Sequence, residues 1–304
     1  MQLTIEEATA QYIYELQRLN KSPHTIKQYG IDLRQFVTYA KELNVTMIKD
    51  KRLQEICLNY EQALKEKEFA PTSIRRKVSS LRSFIRFLEK IGFIEQRFHE
   101  LIVHNESWEV DLYVPSDKEI RDIYYFYRAP KKIRSYDDWL YLRNRSIVQT
   151  MADTGLKVAQ MKRMQYGHLD EERGIFSLIQ RDLSFKELEV SSHTWQHLRH
   201  YLEKTAEYFE FEWTPGNYVW FGQKGWQHRS MSERSFERIV QRATATLGSR
   251  ARGSELRYFR LLQEYVQTED LEKVAHQLTY EAPEPAKERL NKIFDKEKNP
   301  SPKQ

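Results

Sequence analysis

The chain is poor in the residues that punctuate or staple a fold. Its 304 residues include 10 glycines, 9 prolines and one cysteine. So few turn-formers disfavour an all-β architecture and favour helices. With Cys57 alone, an intramolecular disulfide and a thiolate metal cluster are excluded, which suits a reducing compartment. No apolar run approaches the ~18 residues that a membrane span needs. The opening MQLTIEEATAQYIYEL lacks a basic stretch followed by an apolar one, so it does not read as a signal peptide. G-x-x-x-x-G-K-[ST], G-x-G-x-x-G and H-E-x-x-H are all missing, so none of the familiar nucleotide or zinc-hydrolase motifs is offered. The expectation is a cytoplasmic protein with no cofactor, no metal and no membrane partner.

What is present is globular, at 40% hydrophobic and 31% charged residues. Lys and Arg outnumber Asp and Glu by 49 to 44, a formal charge of +5. That mild excess permits a polyanionic partner without demanding one. The 18 Tyr, 15 Phe and 6 Trp are ample for a core. Trp195, Trp213, Trp220 and Trp226 read as packing rather than as a base-stacking platform. His193, His197 and His200 stand four and three apart, a spacing able to bind a metal, but no carboxylate or cysteine pattern accompanies them.

Residues 1–95 read as four helices. Leu3, Ile5, Ala8, Tyr12, Ile13, Leu16 and Leu19 recur at helical spacing. Ser22-Pro23 has the form of an N-cap followed by proline in the first turn. The helix behind it carries Ile26, Tyr29, Leu33, Phe36, Val37 and Ala40. Residues 47–68 repeat the pattern through Met47, Leu53, Ile56, Tyr60, Ala63 and Leu64. Pro71 opens a fourth helix, which stops near Gly92. Residues 96–115 are mixed in character and read as a linker ending at Val114-Pro115. Ser116-Asp117 starts a second helical region. GIFSLIQ (174–180) and ELEVSS (187–192) look like short strands around a polar turn, and YVWFGQKG (218–225) like another extended piece. Helical patterning resumes from Ser232 to about residue 293. Residues 295–304 are polar and read as a disordered tail.

The fourth helix, PTSIRRKVSSLRSFIRFLEK, carries Arg75, Arg76, Lys77, Arg82, Arg86 and Lys90 against Glu89 alone. That local excess of +5 equals the charge of the whole chain. Arg75, Arg82 and Arg86 are seven and four apart, on one helical face. Thr72 and Ser73 sit at its N-terminus, where free amides favour a phosphate. A second basic cluster at 223–252 holds Lys224, His228, Arg229, Arg234, Arg238, Arg242, Arg250 and Arg252, with Ser235 one turn into the helix that Ser232 could cap. Such faces can grip a nucleic-acid backbone, or can simply be solvated charge.

Several segments resemble the tyrosine-recombinase (phage-integrase) family, in the family's order. SPHTIKQYGIDLRQF (22–36) and APTSIRRKVSSLRSFIRFLEKIGFI (70–94) are similar to its helical core-binding domain. RNRSIVQTMADTGLKVAQM (143–161) resembles its arginine-box helix, where T-G-L-R is usual. VWFGQKGWQHRSMSERSFERIV (219–240) resembles the following block. GSELRYFRLLQEYVQTEDLEKVAHQLTY (253–280) resembles the H-x-L-R-H box followed by L-G-H, with Tyr280 standing 23 positions after Arg257. The resemblance implies a mainly helical (α+β) fold. Its parts would be a helical, SAM-like core-binding domain (1–95), a linker (96–115) and a catalytic-type domain with a small β-sheet (116–294).

Strand exchange needs a nucleophile and a cradle of charge around a phosphodiester. By the resemblance, the first arginine position is Lys157, which keeps charge but loses the bidentate fork. The first box histidine is Ser254, the second arginine survives as Arg257, the next histidine is Tyr258, and the L-G-H histidine is Tyr280. The hairpin lysine should lie near 180–186, with Arg181 and Lys186 both open. The nucleophilic tyrosine should follow Tyr280 by about nine residues, which lands on Arg289, and no tyrosine occurs after Tyr280. These degenerate positions imply no catalytic residues. They imply a bacterial protein that binds specific double-stranded DNA through the residues named above, with Lys157 and Arg257 on a phosphate. The natural role would be a transcriptional repressor of a prophage or mobile element. A divergent active recombinase using Tyr280 or Tyr258, and an accessory protein modulating a true recombinase, are the alternatives. The C-terminal helix, with Ala286, Leu290, Ile293 and Phe294, would either dock on a second copy or fold back in cis. A regulatory peptide or protein is a further partner the reading allows.

Overall fold

The computed structural model describes residues 3–95, 97–103, 112–128, 132–180, 184–222, 227–280 and 282–298. It divides into two compact units, residues 1–110 and 111–304. The expected mainly helical fold with one small sheet is present. Among the described residues no helix is long and apolar enough to cross a membrane.

The first unit contains α1 (Ile5–Arg18), α2 (Pro23–Glu42), α3 (Leu53–Glu66), α4 (Pro71–Lys90) and the single turn α5 (Phe98–Leu101). Local chemistry sets the helix starts. Thr4 and Glu7 form a capping box on α1, and Ser22 accepts from the Thr25 amide at 3.0 Å with Pro23 behind it. α4 begins at Pro71 without a side-chain cap. Leu33, Phe36, Phe84, Ile85 and Leu88 lie in one buried core, each worth roughly 1.5–3 kcal/mol over exposure.

Two sequence expectations shift. The third helix starts at Leu53 rather than 47, because the backbone at 46–48 pairs with the chain start: Ile5 donates to the Thr46 carbonyl at 2.9 Å and Ile48 to that of Leu3 at 3.0 Å. The stretch read as linker also contributes to this core, through Phe98 and Ile102, with the His99 amide bonded to Glu89 at 2.6 Å.

The second unit contains α6 (Asp117–Phe126), α7 (Tyr136–Thr154), α8 (Val158–Met161), β1 (Leu169–Asp170), β2 (Ile175–Ile179), β3 (Phe185–Glu189), α9 (Ser192–Phe209), α10 (Glu233–Thr246), α11 (Gly253–Thr268), α12 (Leu271–Gln277) and α13 (Pro283–Lys298). The strands form an antiparallel meander, with Phe176 opposite Leu169 on one side and Leu188 on the other. β3 starts two residues earlier than its text suggests. It is an edge strand of which only Leu188 is fully buried, so its polar residues hide the alternation. Residues 218–222 form isolated bridges rather than a strand.

α7 is the central helix, packed against α6, α9, α10 and α11. The large aromatics around it are satisfied. Trp139 Nε1 donates to Thr205 Oγ1 at 3.1 Å, Trp220 Nε1 to Ser146 Oγ at 3.1 Å, and the Tyr201 hydroxyl to the Val219 carbonyl at 2.9 Å. Trp195 and Trp220 are buried and Trp213 stacks on Tyr166 at 5.5 Å. Trp226 lies outside the described residues. α13 folds back in cis, burying Ala286 and Leu290 against Leu261, Val274 and Leu278 of α11 and α12. It runs to Lys298, into the expected tail.

Candidate nucleic-acid interface

Within the first unit, α4 does not offer all its cations equally. Thr72, Arg75 and Arg86 are exposed, Ser73 and Arg82 half-buried, and the Arg82 Nε has no partner among the described residues. Lys77 is a correction to the expected surface, since it is only 4% exposed. Its ammonium sits 3.2 Å from Asp32 Oδ1, bonds Gln35, and lies 5.0 Å from the centre of the Phe69 ring. Arg76 is half-buried and also tied to Asp32. The buried Asp32 carboxylate further accepts from Ser80 at 3.1 Å and Gln28 at 3.3 Å. A buried acid surrounded in this way is an α2–α4 clamp, and Lys77 belongs to it rather than to a solvent-facing patch.

In the second unit, Ser232 caps α10, accepting from the Ser235 amide at 3.2 Å. Arg229, Arg234 and Arg238 are exposed, and Lys224 and Arg181 lie outside the described residues.

The positions singled out through the family motifs meet in one cleft of about 700 Å³. Lys157, the residue before α8, stands on one wall. Ser254, Arg257 and Tyr258 come from the first turns of α11. Tyr280 follows α12, and Arg289 enters from α13. Arg252 before α11, read from the sequence only as part of the second basic cluster, also lines this site, as do Glu237 and Gln241 of α10, which sequence reasoning did not single out. The four-residue spacing of Glu237 and Gln241 marks a shared face, but nothing in the text tied that face to the motifs.

Local geometry fixes the centre of the cleft. α7 ends at Gly155, with φ +65°. A Cβ there would press on the tip of the Leu278 side chain, and the positive φ itself favours glycine. Arg257, 7% exposed, reaches back from α11 and donates to the Gly155 carbonyl at 2.6 Å and to the Leu278 carbonyl. Its guanidinium lies 4.4 Å from the centre of the Tyr280 ring. Burial lowers its pKa from the ordinary arginine value. Thr279 carries φ +57°, unusual for a β-branched residue, and accepts from Gln160 Nε2 at 2.8 Å. Lys186 on β3 donates to the Tyr280 carbonyl at 3.3 Å. Burial, and then the neighbouring Arg257 charge, lower its pKa. That contact brings Lys186, left open by the sequence, beside the cleft.

The hydroxyls are donors rather than bases. Burial raises the Tyr258 pKa, and the Arg289 guanidinium stacks 5.6 Å from the centre of that ring. Ser254 Oγ donates to Glu255 at 2.8 Å. Among the described residues, Lys157, Arg252, Arg257 and Arg289 line the cleft with one carboxylate, that of Glu237. The cleft therefore suits an oxyanion held by charge-assisted hydrogen bonds. His193 and His197 pack ring against ring at 4.5 Å, and no metal-binding group of three or more His, Cys, Asp or Glu occurs among the described residues.

Comparison with known proteins bears on the fold that carries this cleft. Residues 10–92 match the family described as phage integrase, N-terminal SAM-like domain. The tyrosine recombinase XerC of Thermodesulfovibrio yellowstonii is 23% identical over 235 residues, which cover 75% of this chain and 71% of that protein. The XerC of Oceanobacillus iheyensis is 25% identical over 154 residues, 50% of this chain. The matched region spans about half the length of that relative, at 47%. Among solved structures, the Tn1549 transposon integrase in complex with transposon right end DNA aligns with TM-score 0.71 at 8% identity, over 97% of this chain and 99% of that one. A lambda integrase dimer bound to a COC' core site aligns with TM-score 0.67 at 14% identity, over 100% and 80%. At such identities the structural likeness is one of fold.

Proposed function

We propose that this chain, which belongs to the tyrosine-recombinase family, holds specific duplex DNA without breaking it. The relatives are named recombinases and the solved neighbours are titled as DNA complexes, which supports a DNA-binding role. One observation carries the inactive reading. Where the family resemblance requires a tyrosine nucleophile, Arg289 lines the cleft instead. A guanidinium stays protonated and has no lone pair to attack phosphorus. The flanking positions Ser254, Tyr258 and Tyr280 carry hydroxyls where imidazoles are expected, so proton transfer near neutral pH lacks those imidazoles. Lys157, Arg257 and Arg289 remain able to hold a phosphate.

On this reading residues 1–95, with Phe98 and Ile102 completing their core, and 116–294 are two DNA-contacting domains. Thr72, Ser73, Arg75, Arg82 and Arg86 contact backbone from the first. Arg229, Ser232, Arg234, Ser235 and Arg238 do so from the second. Occupancy without cleavage suits a transcriptional regulator, and a repressor of a prophage or mobile element is the role we favour. Lys186, beside Arg257, is assigned to the hairpin-lysine position.

A nicked suicide duplex tests this. The expected result is a salt-sensitive gel shift with no detergent-stable adduct. A covalent adduct abolished by Tyr280→Phe would establish a divergent recombinase. Failure to bind any duplex would point to an accessory protein instead.

A further inference from the structure

We infer that the cleft is an anion-operated latch for the C-terminal helix: a phosphate seated between Lys157, Arg257 and Arg289 fixes α13 to its own chain. The inference rests on the reading of the cleft as a phosphate cradle, and adds to it a control over α13.

Charge and packing lead to it. α13 has 16 residues, and its apolar anchors are the buried Ala286, Leu290 and Ile293 with the half-buried Phe294, which packs on Tyr265. So small an apolar seam leaves the attachment sensitive to modest electrostatic terms, because ordering sixteen residues opposes it. The residue that α13 sends into the cleft is a cation, Arg289, and it lines the cleft with Arg257, Lys157 and Arg252, against the carboxylate of Glu237. Four cations facing one carboxylate leave the cleft with an excess of like charge, and like charges repel. An oxyanion reverses the sign of the balance. It would accept from the Arg289 fork on α13 and from Lys157 and Arg257 on the body of the unit, so each bond to it also ties the helix down. Tyr258 holds the Arg289 guanidinium in the cleft through a ring contact of 5.6 Å. The ligand class is a phosphate, either a diester in duplex DNA or a free phosphate, and the two sources are separable.

The test is hydrogen exchange of α13 amides in the full chain at constant ionic strength, in chloride, with inorganic phosphate, and with duplex DNA. Exchange in α13 is expected to slow about fivefold with an anion bound, the scale of one partly solvated ion pair. Slowing by duplex alone assigns the site to a diester, and slowing by inorganic phosphate as well assigns it to any phosphate. Arg289→Gln should erase the effect, while Arg289→Lys, which keeps the charge and checks folding, should retain part of it. Unchanged α13 exchange in a chain that still shifts duplex would overturn the latch and leave the DNA-binding reading standing. Anion-dependent slowing that persists in Arg289→Gln would overturn it too. Slowing by inorganic phosphate in a chain that binds no duplex would keep the latch and remove the DNA-binding reading.

Discussion

If α4 is a DNA-contacting helix, its exposed cations and its buried one must behave oppositely. Arg75 and Arg86 are exposed and eleven residues apart, close to three full turns, so they share a face. Reversing both to glutamate touches no buried partner and should change stability by no more than ~0.5 kcal/mol. If each neutralises one phosphate, the slope of log affinity against log salt should fall by about 1.8, at roughly 0.9 per contact. Lys77→Ala is the mirror case. It strips the buried Asp32 of a partner 3.2 Å away, and breaking one side of a buried pair costs about 3–5 kcal/mol. Its urea midpoint should drop sharply while the molecules that remain folded keep the wild-type salt slope. Fluorescence anisotropy across a salt series, paired with urea unfolding, reads both quantities. An unaltered slope in the folded Arg75→Glu/Arg86→Glu variant would refute the assigned surface. A reduced slope in Lys77→Ala with an unchanged urea midpoint would return Lys77 to the DNA.

Two further outcomes concern the cleft. Gly155→Ala should destabilise the second unit by more than ~1 kcal/mol, because alanine is strained at φ +65° and its Cβ presses on the tip of the Leu278 side chain; an unchanged thermal midpoint would contradict that strain. Arg257→Ala leaves the Gly155 and Leu278 carbonyls without their donor and should cost about 2–4 kcal/mol, read by urea unfolding in the absence of DNA; a variant as stable as wild type would show that those bonds contribute nothing.

Much of this was legible in the text. The caps at Ser22, Ser116 and Ser232 and the prolines at 23 and 71 mark helix starts because each supplies a local group or a fixed φ. The family resemblance picked out Lys157, Ser254, Arg257, Tyr258, Tyr280 and Arg289, and these six line one cleft. Lys77 was misread although its signal was present. It lies two residues, about 200°, from Arg75, on the side of Ile74, Val78 and Leu81. β3 was misjudged because an edge strand with one fully buried residue has no alternation to read. The sequence left Arg181 and Lys186 both open because a contact such as that of Lys186 with Tyr280 is non-local. The starting point of α3 depends likewise on backbone pairing with residues near 3–5.

Holding a phosphate and cleaving it make different demands, and the residues of the cleft meet them unequally. Holding needs donors and positive charge, which Lys157, Arg252, Arg257, Arg289 and three hydroxyls provide. Cleaving needs an attacking lone pair as well, and on the proposed reading the nucleophile's position is filled by Arg289, whose guanidinium has none. Arg257 does not discriminate between the two, because its bonds to Gly155 and Leu278 make it part of the fold. Loss of DNA binding on replacing it would follow from unfolding as readily as from a lost phosphate contact. Arg289 and Lys157 are the informative positions. Arg289 is half-buried on a helix whose apolar seam runs through other residues, and Lys157 is exposed at the start of α8. Substituting them changes the charge offered to an anion while leaving the carbonyl clamp at the centre of the cleft in place.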